Sequence, residues 1–164
     1  MSFTFKPVHV PPDGGMSVFL VGDTYTVLLN AAETGGNLSR VEAIVRAKAS
    51  PPMHTQHQET ESFLLMGGEL ALTAENEEYE VSAGGVVDVP KRTSHKFRNR
   101  SDTRPARMIL LFTPGGLDGM LPDIGTPGVR VSSPRRSTTR TSPRWEPPVR
   151  STTTPSARGP VCGS

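Results

Sequence analysis

The 164-residue chain has a single cysteine, Cys162, so it can form no internal disulfide. That excludes a cystine-stapled scaffold and fits a reducing compartment. No apolar run approaches the roughly 18 residues needed to cross a bilayer. The opening MSFTFKPVHVPPDGG has no apolar core of signal-peptide length and meets Pro-Pro at once. A soluble, cytoplasmic protein is the expectation. Helical signal is lacking too: residues 1–113 show no convincing 3.6-residue apolar stripe. The segment ETGGNLSRVEAIVRAKA comes nearest, but its β-branched residues and the Pro-Pro that follows favour a strand.

Charge is unevenly distributed. Residues 1–128 carry 11 Lys+Arg against 15 Asp+Glu, a net of −4, whereas residues 129–164 carry seven Arg and one acid, a net of +6. The basic pI therefore belongs to the tail. That tail is rich in Arg, Ser, Thr and Pro, with Trp145 alone among aromatics, and cannot bury enough apolar surface to order itself. It is expected to be disordered from residue 129. It has no lysine and no spaced aromatics, which argues against a dedicated nucleic-acid arm.

What the chain does have is a series of short strands. Phe19, Val21, Tyr25, Val27 and Leu29 keep a period of two around a turn at Gly22-Asp23, and Val41, Ala43, Val45 and Ala47 alternate with Glu42, Ile44, Arg46 and Lys48. Phe63–Met66, Glu69–Thr73, Glu78–Val81, Val86–Val89, His95–Arg98 and Met108–Thr113 follow, separated by Gly, Pro, Ser and Asn clusters. Many short strands with frequent turns predict an all-β sandwich or barrel. A short helical turn is expected around Leu117–Leu121.

The stretch PPMHTQHQETE, residues 51–61, holds the candidate chemistry. In an extended segment residues two apart share a face. His54 and Gln56 therefore point one way and His57 the other, unless a bulge rotates the strand. Glu61 leads into Phe63 and Leu65, positions suited to a barrel interior, and His95 pairs with Phe97 in the same manner. Together His54, Glu61 and His95 offer two imidazoles and a carboxylate, a set that suits iron, manganese, nickel, copper or zinc. His9 is expected to be exposed, Phe112 and Tyr25 to be core, and Asp118 and Asp123 to be solvated loop carboxylates.

HTQHQETESFLLMGG followed by GGVVDVPKRTSHKFRN resembles the two motifs of the cupin superfamily. The first motif is matched by His54, Glu61 and Gly68, with Gln56 where the family usually has a second His. The second is matched by Gly84, Pro90, His95 and Asn99, with Arg92 where the family has Gly. Gly68 suits a tight turn, Pro90 a strand end, and Asn99 a turn that caps the last ligand strand. The ESF-LL-x-GG-E-L hairpin and the closing LFTPGG resemble bacterial quercetin 2,3-dioxygenase-like monocupins in particular.

The resemblance implies a jelly-roll (double-stranded β-helix) barrel over residues 1–120, followed by an extension over 121–164. It implies a divalent metal on His54, Gln56, Glu61 and His95, with Glu61 also catalytic and Phe63 and Phe97 beside the substrate. Gln56 leaves three outcomes: it ligates through its carbonyl, a water takes its place, or the metal is lost. The implied activity is a dioxygenase acting on an aromatic or enol-type small molecule. The rivals are a metal-dependent isomerase, lyase or cyclase, and a non-enzymatic binding barrel. A homodimer formed through the N-terminal strands is expected.

Overall fold

The computed structural model describes residues 6–130. Cys162, Trp145 and the basic stretch from residue 131 onward lie outside them. Eleven strands form: β1 (Met16–Leu20), β2 (Asp23–Leu29), β3 (Ser39–Val45), β4 (His54–Thr55), β5 (Thr60–Gly67), β6 (Glu69–Ala74), β7 (Glu77–Ser82), β8 (Val86–Val89), β9 (Ser94–Asn99), β10 (Ala106–Thr113) and β11 (Thr126–Gly128). Single turns of 3-10 helix occur at Ala32–Thr34 and Leu117–Gly119, and a short α1 at Leu121–Ile124. No helix among the described residues is long and apolar enough to cross a membrane.

The strands make two antiparallel sheets, one in the order β11-β1-β2-β3-β10-β5-β8 and one in the order β4-β9-β6-β7. This is an all-β jelly roll. Alternation explains the interior. Ala106, Met108, Leu110 and Phe112 of β10 face inward, as do Val41, Ala43 and Val45 of β3, and all are buried. Phe63, Leu65, Leu72 and Phe97 close the core from the remaining strands. Each such large side chain contributes about 1.5–3 kcal/mol by leaving water.

The motif residues hold the corners. Gly68 lies between β5 and β6 at φ +86°, and a Cβ there would come within 2.9 Å of Ala106 Cα. Asn99 does more than cap a strand end. It is fully buried, and its amide donates to the carbonyls of Val45 (3.1 Å) and Arg104 (2.9 Å) while its Oδ1 accepts from the Ser101 N–H (3.0 Å).

Two features lay beyond sequence reasoning. Glu42, on the alternate face of β3, is 2% exposed and paired with Arg107 and Arg130. Asp118 is not a solvated carboxylate: it is 7% exposed and accepts a hydrogen bond from the Ala31 N–H, whereas Asp123 is exposed. Past residue 120, Leu121 joins the core and β11 pairs with β1. Arg130 then hydrogen-bonds to the carbonyls of Pro11 and Gly14.

A candidate metal centre at the floor of an apolar cavity

β4 and β9 are paired so that His54 stands opposite His95, with ring centroids 4.4 Å apart. Glu61 arrives from the other sheet, at the start of β5. One donor atom from each of His54, Glu61 and His95 falls within 4.8 Å of the others. His95 is 0% and Glu61 3% exposed, and His54 is half-buried.

Both rings are oriented by backbone carbonyls. His54 Nδ1 donates to the Pro52 carbonyl and His95 Nδ1 to that of Thr93, each at 3.0 Å. A neutral ring that donates from Nδ1 carries its lone pair on Nε2. His95 Nε2, however, lies 3.0 Å from Glu61 Oε2. A lone pair facing a carboxylate oxygen calls for a cation between them, either a proton or a metal ion. The pairing shows in the protonation of His95. Burial works to lower its pKa, but the hydrogen bond to Glu61, the Thr93 carbonyl and the Glu61 charge outweigh burial and raise it. The donor set thus fits a divalent ion, with second-partner carbonyls fixing both imidazoles.

A cavity of about 320 Å³ is lined by two of the three donors, His54 and Glu61, while His95 is not among its lining residues. His54, Gln56, Glu61 and Tyr25 are its polar lining, and Leu20, Val41, Phe97, Leu110, Phe112 and Leu117 are among its apolar walls. Val21, Met120 and Ile124 expose apolar surface along its lining.

The sequence-predicted residues fall as follows. His54, Gln56, Glu61 and Phe97 all line the cavity. Phe63 does not; it is buried in the core and meets His95 edge-on, with centroids 5.8 Å apart. His57 and His9 are exposed and stand outside the cluster. Tyr25 belongs to the core, as expected, and also lines the cavity, which sequence reasoning missed. A tyrosine on an inward face, where phenylalanine would pack as well, is the signal that finds it.

Residues 41–112 match the family described as Cupin domain. An uncharacterized protein of Methanocaldococcus jannaschii is 31% identical over 65 residues, which are 40% of this chain; the chain spans about half (52%) of that relative. Among solved structures, a predicted oxalate decarboxylase from Thermotoga maritima is similar at TM-score 0.61 and 14% identity, with 65% of this chain and 99% of that one covered. An RmlC-like cupin from Shewanella frigidimarina is similar at TM-score 0.58 and 17% identity, covering 71% and 99%. KdgF from Halomonas sp. is similar at 0.53 and 18%, covering 60% and 84%. The motif residues and the jelly roll built around them thus make residues 41–112 similar to a cupin domain, on a fold shared with solved cupins.

Proposed function

We propose that this protein is a metal-dependent cupin dioxygenase acting on an aromatic or enol-type small molecule. The observation that supports it is the convergence of His54, Glu61 and His95, of which His54 and Glu61 line an apolar cavity. A divalent ion of iron, manganese, nickel, copper or zinc held there would supply Lewis-acid or redox chemistry. His54 and His95 would hold it by their imidazoles, and Gln56, which lines the same cavity, would offer its amide oxygen. Glu61 supplies the carboxylate and accepts the proton of a substrate hydroxyl. Phe97 packs against the substrate, and Phe63 fixes the plane of His95.

The test is elemental analysis of protein loaded with each metal in turn, followed by oxygen consumption with aromatic enols. Near-stoichiometric metal with oxygen uptake is expected. Metal without oxygen uptake redirects the reading to an isomerase, lyase or cyclase. A non-enzymatic binding barrel is the second reading, favoured by the direct Glu61–His95 hydrogen bond, which satisfies both groups without an ion. It predicts no metal under any loading.

For assembly we propose a homodimer through the N-terminal strands, where Met16 and Phe19 expose apolar surface; light scattering decides. We also propose a cytoplasmic location, which the single cysteine, with no internal disulfide to form, supports.

A further inference from the structure

We propose that the Tyr25 hydroxyl is the hydrogen-bond donor that positions the ligand in this cavity, and that the ligand is apolar-bodied, oxygen-bearing and without a carboxylate or phosphate. The inference rests on the reading of the cavity as the substrate site. Tyr25 is on β2, opposite Val18 and Ala43, and is 9% exposed. It lines the same cavity as His54, Gln56 and Glu61. No group of the described residues hydrogen-bonds to its hydroxyl, whose environment is burial and the charges of Asp23 and Glu61. A buried phenol normally has a partner. The Tyr25 hydroxyl is not one of the sealed polar atoms without a partner, which among the described residues are Ser39 Oγ and Asp118 Oδ1, and it belongs to a residue that lines the cavity.

Burial, then the two nearby carboxylates, drives the phenol's pKa up, so it stays a protonated donor. It can give its hydrogen to a carbonyl or hydroxyl oxygen of a ligand reaching towards the metal-binding side chains. Charge sets the other half of the inference. Among the described residues, no Lys or Arg lines this cavity. In the metal-free protein a dicarboxylate or phosphate would bring a negative charge with no cationic side chain to meet it, beside the carboxylate of Glu61. The volume, about 320 Å³, lies at the lower end of the roughly 300–1,000 Å³ typical of small-molecule pockets.

The probe is 3-hydroxyflavone, an aromatic with adjacent hydroxyl and keto oxygens, titrated by fluorescence into metal-loaded and metal-free protein. The hydrocarbon control is 2-phenylnaphthalene, which shares its body and lacks its oxygens. Tyr25→Phe should weaken 3-hydroxyflavone binding about tenfold, one hydrogen bond's worth. It should leave 2-phenylnaphthalene affinity and metal content unchanged, as a merely structural role would not. Oxalate should not compete with the probe on the metal-free protein. Equal affinity of wild type and Tyr25→Phe for 3-hydroxyflavone overturns the donor role. Oxalate binding to the metal-free protein as tightly as the probe, or no binding of the probe, overturns the ligand class. If wild type takes up no metal yet Tyr25→Phe still loses affinity in the metal-free state, the metal-enzyme reading fails while this inference stands.

Discussion

The Arg92 N–H donates to the Gln56 carbonyl at 2.6 Å, and Arg92 makes that bond from a left-handed backbone conformation, φ +69°. The loop before β9 is thereby tied to the segment that carries His54 and Gln56. A side chain at this φ costs about 1–2 kcal/mol, offset in part by the chain entropy that glycine would add. Arg92 is exposed, so little packing is at stake. Arg92→Gly should raise stability by about 0.5–1 kcal/mol, read as a higher urea midpoint at unchanged slope.

Asn99, itself fully buried, satisfies two carbonyls and one N–H at a corner of the barrel. Asn99→Ala leaves all three without partners and should cost at least about 3 kcal/mol in chemical denaturation. Asn99→Asp should be nearly as damaging, because an ionised carboxylate cannot donate to the Val45 and Arg104 carbonyls.

His54→Ala and His95→Ala should each abolish retained metal, measured by elemental analysis after desalting. Gln56→His should raise affinity for the same ion, since an imidazole replaces an amide oxygen. If the wild type holds metal, chelation should lower its thermal midpoint. An ion present at a hundred times its Kd contributes about 2.7 kcal/mol.

Asp23 is 3% exposed, and burial raises its pKa against the opposing influence of Arg46, whose N–H it accepts at 2.9 Å. The sign follows from which state binds the proton more tightly. The native state does, so the contribution of Asp23 is most favourable below the ordinary value of 3.8 and is lost as pH rises through the higher native value. Asp23→Asn keeps an acceptor for Arg46 and removes the titration. Its stability relative to wild type should climb above pH 3.8 and then level off, traced by urea midpoints at successive pH values.

Arg130 is joined to Glu42 and to the carbonyls of Pro11 and Gly14, with a side chain only 11% exposed. Arg130→Ala should cost about 1–3 kcal/mol. Truncation after Gly128 should cost as much, while truncation after Arg130 should cost little.

The first half of the candidate site was legible because its signals are local. His54 and Gln56 are two residues apart, and Glu61, Phe63 and Leu65 keep the inward alternation of a single strand. Gly68 and Asn99 occupy corners that their chemistry suits. Glu42 was illegible for the opposite reason: its arginines stand 65 and 88 residues away, and on β3 alone it looks like the outward partner of Val41 and Ala43. Asp118 hid in the same way, since it accepts from an amide 87 residues earlier. Strand β11 has three residues, too few for any alternation to show.

The Glu61–His95 contact joins one sheet to the other across 34 residues of chain, and His54 adds a third strand. No single hairpin holds a complete donor set. Partial folding therefore offers an ion at most two of the three, and chain-closure entropy must be met before the third arrives. In a stopped-flow refolding experiment, capture of a metal should lag the far-ultraviolet signal of strand formation. The ion would act as a clock for the joining of the two sheets, and as a latch on that last step once it is made.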